Sequence, residues 1–131
     1  MKYLILVLAF SVSSVSLYSQ KVIKMKSTAY STRSLSSSGN WSDWSNWEKT
    51  EVLMVLKNER ITIYSKRKQE YDIIKYYDEY VDSDGDSVLK LQCVDQDGDM
   101  CHLRIINRKS GKQQLYVDFS NINWVYNFRK M

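Results

Sequence analysis

Residues 89–119 read LKLQCVDQDGDMCHLRIINRKSGKQQLYVDF, and this stretch decides the fold. Leu89, Leu91 and Cys93 alternate with Lys90 and Gln92, the period-two pattern of a strand with one buried face. After the Asp-Gly turn at 95–99, Cys101, Leu103 and Ile105 alternate with His102 and Arg104. A register that sets Cys93 opposite Cys101 also sets Leu91 opposite Leu103 and Leu89 opposite Ile105. A second turn at Lys109-Ser110-Gly111, type I closed by a left-handed glycine, sets Ile105 opposite Leu115, Leu103 opposite Val117 and Cys101 opposite Phe119. Every inward residue of three strands meets another, and such agreement carries more weight than the propensity of any single segment.

The pattern extends in both directions. Ile23 and Met25 alternate with Lys24 and Lys26 as a first strand. Val52, Met54 and Leu56 return through Asn58-Glu59 to Ile61 and Ile63, with Leu56 opposite Ile61 and Met54 opposite Ile63. Lys66-Arg67-Lys68 is a solvated connection. Segment 70–81 (EYDIIKYYDEYV) fits helical spacing as well, but its aromatic and β-branched content predicts a strand. Ile122, Trp124, Tyr126 and Phe128 share one face of a last strand. Residues 31–49, rich in serine, read as a long loop or irregular edge, because serine competes with the backbone for hydrogen bonds. Seven or eight short strands joined by tight turns predict an all-β antiparallel meander, forming a small lipocalin-like barrel in preference to a sandwich.

The 131 residues begin with Met-Lys, an apolar run Tyr3–Phe10 and a serine-rich exit to Ser19. This is the layout of a secretory signal peptide, with cleavage after Ser19 or, alternatively, after Ser16. The run is too short for a spanning helix, which needs roughly 20 apolar residues, so no stable membrane span is expected after the leader is removed. Residues 20–131 then form a single domain with a periplasmic or extracellular address. Losing Lys2 takes the formal charge from +4 to +3, too mild to point to nucleic acid.

Cys93 and Cys101 face each other in the predicted hairpin of an exported chain. A cross-strand disulfide is expected there, worth roughly 2–3 kcal/mol in the chain-entropy account. The pair lacks the CxxC spacing of a redox motif. Asp82-Ser83-Asp84-Gly85-Asp86 and Asp95-Gln96-Asp97-Gly98-Asp99 carry carboxylates at i, i+2 and i+4, which invites calcium. Their glycine stands fourth rather than sixth, and the twelfth positions hold Cys93 and Ile106 rather than a glutamate. The two loops flank one strand, so they lie roughly 20 Å apart and cannot share an ion. They read as turns, and no metal or cofactor is assigned. His102 falls on the polar face without a second histidine or an activated nucleophile, and no catalytic motif is found, so the chain reads as non-enzymatic.

Trp41-Ser42-Asp43-Trp44-Ser45-Asn46-Trp47 is the unusual string. It resembles the WSxWS tryptophan ladder of thrombospondin type 1 repeats and the WSxWS box of cytokine receptors, in which arginines stack between indoles by cation–π attraction. No function is carried over from either. One expectation is that Trp41, Trp44 and Trp47 cover one end of the barrel or sheet; the functional alternative makes them a recognition surface. Asn40-Trp41-Ser42 also matches a glycosylation sequon. Across the chain, the short leader, the W-x-x-W loop, E-R-I-T-I-Y-S (59–65), C-V-D-Q-D-G-D-M-C (93–101) and Q-L-Y-V-D-F (114–119) resemble small exported proteins of Bacteroidota with no known activity. That resemblance implies a bacterial, exported protein, for which the sequon has no role. The expected function is an exported binding or interaction module that engages a protein or glycan through the tryptophans. The alternative is a carrier of a small apolar ligand inside the barrel.

Overall fold

A computed structural model describes residues 22–131. The expected leader 1–19, with Gln20 and Lys21, lies outside the described residues. Ten strands follow in order: β1 Val22–Ser34, β2 Glu48–Lys49, β3 Leu53–Lys57, β4 Arg60–Ile63, β5 Gln69–Tyr76, β6 Tyr80–Val81, β7 Ser87–Asp95, β8 Met100–Asn107, β9 Gln113–Asp118 and β10 Ile122–Lys130. All pairings are antiparallel, and among the described residues there is no helix. Eight strands run β1-β3-β4-β5-β7-β8-β9-β10 as a meander, and β10 pairs back onto β1 to close a barrel. β2 is added beside β1 and β6 beside β7. Closure leaves no open edge on the eight-stranded wall.

The registers expected from the sequence are those observed, including Leu56↔Ile61, Cys93↔Cys101 and Ile105↔Leu115. One differs: the β8–β9 ladder stops at His102↔Asp118, so Phe119 lies just beyond the pairing instead of opposite Cys101. Segment 70–81 is strand except at 77–79, which separates β5 from β6. A register shift between Ile73 and Lys75 leaves Ile74 outside the wall, while Tyr71 and Ile73 are buried.

Turn chemistry explains the connections. Asn58 and Glu59 both take positive φ (52° and 60°), the type I′ geometry whose twist suits a two-residue hairpin. All four glycines of the chain occupy the same place in four copies of one five-residue turn, 36–40, 82–86, 95–99 and 108–112. In each, the first residue donates to the carbonyl of the fifth, and the fourth, glycine at φ 85–94°, donates back to the first. A Cβ would be strained at that backbone angle.

Inside the barrel, Met54, Ile61, Ile63, Leu91, Leu103, Leu115 and Val117 are fully buried. They fill the middle of the lumen with side chains, as expected for an eight-stranded barrel. Shallow hollows remain at the two mouths. One, of about 340 Å³, is floored by Tyr71, Phe119 and Trp124; the other, of about 180 Å³, is lined by Ile23, Leu56, Leu89, Ile105 and Phe128.

Candidate functional site

Residues 31–49 are more ordered than their composition implies. Residues 31–34 belong to β1, Leu35 bridges to Trp41, and 36–40 form the glycine turn just described. The chain then runs back along β1 as an irregular edge. Ser42 N–H donates to the Ser34 carbonyl, and Ser45 N–H to the Thr32 carbonyl, both at 2.8 Å. The return bonds go to side chains: Ser34 N–H donates to Ser42 Oγ and Thr32 N–H to Ser45 Oγ, each at 3.0 Å. Tyr30↔Glu48 continues the series. Positions 42, 45 and 48 therefore match 34, 32 and 30, three residues on one side against two on the other.

This 3:2 pairing is the structural meaning of the W-S-x repeat. Each serine hydroxyl takes the place of a strand carbonyl and absorbs the extra residue, so the side-chain period of this edge becomes three. Trp41, Trp44 and Trp47 consequently share one side, stepping along β1 by about 6.6 Å each. They lie along the outer wall of the barrel. The expectation that they cap one end is therefore corrected.

The indoles are held in place from both directions. The Arg33 guanidinium lies between two of them, 4.6 Å from the Trp41 ring centre and 4.9 Å from that of Trp44. Its Nε donates to Asn123 Oδ1 at 2.9 Å. Trp44 meets Tyr116 edge to face at 5.9 Å, crossing the row Ser31↔Val125↔Tyr116. Ser31 and Val125 face outward by register but are buried beneath this cover. Arg104 stacks on Tyr116 at 4.2 Å and pairs with Asp118. Lys112 lies 5.7 Å from the ring centre of Trp47.

Behind Tyr116 stands a polar brace. Arg108 donates through Nη2 to the Tyr116 hydroxyl, through Nε to Gln114 Oε1 and through Nη1 to Asp86 Oδ2. Asp86 also accepts from the Lys109 backbone N–H. That backbone bond, followed by the Arg108 pairing, holds the Asp86 carboxyl below its ordinary range. The three tryptophans remain 39, 38 and 47% exposed. They form a fixed aromatic row that solvent still reaches.

Cys93 and Cys101 are register partners inside the barrel, buried and not bonded to each other. The expected cross-link is absent from this structure, and the thiols pack as core residues. Asp95 donates to the Asp99 carbonyl, so, counting by twos, 93/101 is a hydrogen-bonded pair with Cα atoms about 5.5 Å apart, within disulfide reach. Burial pushes both thiols up to about 12.

Asp82 and Asp95 act as turn formers. Asp82 Oδ1 accepts from the backbone N–H groups of Asp84 and Asp86, and Asp95 Oδ1 from those of Asp97 and Asp99. His102 lies on the outer wall, 6.2 Å from the Tyr77 ring; partial burial and then Lys90 lower its pKa.

At the larger mouth, Gln69 accepts from the Tyr71 hydroxyl and donates to the Tyr126 hydroxyl at 3.1 Å. Burial raises the Tyr126 pKa, opposed by Gln69 and by the Trp124 indole. That indole comes near the hydroxyl without completing a hydrogen bond.

Sequence reasoning singled out the tryptophan string and matched Cys93 with Cys101 in register, as observed. It missed Arg33, Tyr116, Arg104, Arg108 and Lys112, which stand two strands or a turn away from the motif. Only the serine at every third position signalled how the edge would pair. No protein-family model, curated protein or solved structure matches the chain.

Proposed function

We propose that this protein is an exported, non-enzymatic binding module whose contact surface is the outer row Trp41, Trp44 and Trp47. The observation that carries the reading is that three indoles stay 38–47% exposed while Arg33 clamps Trp41 and Trp44, Tyr116 meets Trp44 and Lys112 lies over Trp47. Large rings left in water on a monomer are unfavourable. Rings already fixed in orientation lose little entropy when a partner covers them. The leader-like residues 1–19 support a periplasmic or extracellular address. In such an oxidising space the register partners Cys93 and Cys101 are the pair that a disulfide would join.

The carrier alternative is weaker, because Met54, Leu91, Leu103 and Val117 occupy the lumen that a ligand would need. The test is retention on envelope material of the producing cell, separated into protein and polysaccharide fractions. Loss of retention in a Trp41→Ala/Trp47→Ala variant with unchanged melting supports the reading. Equal retention of variant and parent overturns it.

A further inference from the structure

The aromatic row runs directly into a basic groove. Where the irregular edge ends at Lys49, a hollow of about 470 Å³ opens between β1, β2 and β10, lined by Lys26, Thr28, Lys49, Thr50, Glu51 and Arg129. Lys26 and Arg129 are cross-strand partners, and Lys49 lies opposite Ala29, just past the Thr28 register shift. Two of the three cations are uncommitted: among the described residues Lys49 and Arg129 make no ion pair. Lys26 has only a long 3.8 Å contact to the exposed Glu51, worth little in water. Lys112, over Trp47, adds a fourth positive charge beside the row.

Charge is segregated around the barrel. Residues 101–131 carry six cations against Asp118 alone, whereas residues 70–99 carry ten acids against Lys75 and Lys90. The wall built by β1, β10 and the tryptophan edge carries Lys24, Lys26, Arg33, Lys49, Arg129 and Lys130 against Asp43, Glu48 and Glu51, a positive excess that the modest net charge conceals.

Resting on the binding role proposed above, we infer that this wall binds an acidic polysaccharide. Its carboxylate or sulfate groups sit among Lys26, Lys49 and Arg129, and its sugar rings lie along Trp47, Trp44 and Trp41. Three features select this class. The indoles recur at one fixed step, which suits a partner that itself repeats. Trp41 and Trp44 lie along the wall, packed against Arg33 and Tyr116, whereas insertion into a lipid surface calls for projecting rings. The groove beyond Trp47 is lined with the hydroxyl groups of Thr28 and Thr50 beside the exposed Glu51, with no aliphatic or aromatic side chain to form the kind of pocket that anchors a peptide residue.

The experiment is calorimetric titration of residues 20–131 with five probes: polygalacturonate, dextran sulfate, neutral dextran, poly-glutamate and vesicles of anionic phospholipid. The inference requires saturable binding of at least one acidic polysaccharide that weakens with added salt. It further requires a loss of about tenfold in Lys49→Gln/Arg129→Gln, the weight of two exposed charges, and a separate loss in Trp47→Ala. Equal binding of neutral dextran overturns the inference but leaves the tryptophan row as a contact surface. Equal or tighter binding of poly-glutamate or vesicles, or no binding of any polysaccharide, also overturns it. Loss in the charge variant without loss in Trp47→Ala separates the groove from the aromatic row and overturns their joint use. The substituted lysine and arginine make no side-chain hydrogen bond among the described residues, so the double charge variant is expected to melt like the parent.

Discussion

Arg108 donates a hydrogen bond to the hydroxyl of Tyr116 at 3.1 Å, and through that ring it fixes Trp44 on the opposite side of the barrel seam. The turn after β8 therefore governs the outer aromatic face, although no residue of that turn touches an indole other than Lys112. Replacing Tyr116 with Phe should keep the edge-to-face contact but free Arg108 from it. The expected result is a small loss of stability, about 1 kcal/mol, with the near-ultraviolet dichroism of the tryptophans retained. Tyr116→Ala should lose both, as measured by urea unfolding and dichroism together.

Arg33 is expected to tolerate lysine poorly. Its flat guanidinium faces two rings at once and also holds Asn123, which a point-charged ammonium cannot reproduce. Arg33→Lys should cost about 1 kcal/mol and Arg33→Ala about 1–2 kcal/mol in denaturant unfolding. An unchanged midpoint in both would mean that the stacking contributes nothing.

The serine ladder has a more local signature. Ser42→Ala removes the acceptor of the Ser34 amide, and Ser45→Ala that of the Thr32 amide. Each should cost about 1 kcal/mol, and hydrogen exchange should accelerate at the matching amide alone. Exchange that quickens equally along the whole edge would show that the hydroxyls do not pair residue by residue.

Acid should weaken the brace at Asp86. Its carboxyl is held below the ordinary value, so its contribution to stability is complete above about pH 4. The contribution is lost as pH falls from there through the folded-state value. Asp86→Asn should lower the melting temperature at pH 7 and flatten its decline below pH 4. A variant and parent with parallel melting curves across that range would exclude Asp86 as a contributor.

The cysteines are expected to be chemically silent in the folded, reduced protein. With both thiols pushed up to about 12, almost no thiolate exists at pH 8, and access is closed as well. Ellman's reagent should report nothing until the protein is unfolded and then count two thiols. Protein folded under oxidising conditions should show none on unfolding if the cross-strand bond forms. Two thiols in that preparation would remove the disulfide.

The barrel was readable from sequence because its inward residues recur at a fixed period, and each turn left one register in which they match. Leu91 opposite Leu103 and Leu103 opposite Val117 follow from counting alone. The tryptophan edge was not readable in the same way. Its pairing depends on serine hydroxyls standing in for carbonyls, a substitution that period-two reasoning does not include. Arg33 and Tyr116 join the site only through closure of β1 on β10, and no local pattern predicts which strands meet across about a hundred residues. Phe119 falls just past the β8–β9 ladder because the chain turns at Ser120 before the extrapolated pairing is made.

The β1–β10 seam also dictates when the protein can first become itself. The wall is sealed by partners at opposite ends of the chain, such as Tyr30 and Tyr126. Until the last nine-residue strand is delivered, β1 presents a bare hydrogen-bonding rim and the lumen residues stay wet. A chain delivered N-terminus first thus stays open until β10 arrives. Trp44, reaching over that seam to Tyr116, then fastens the closed ring from outside.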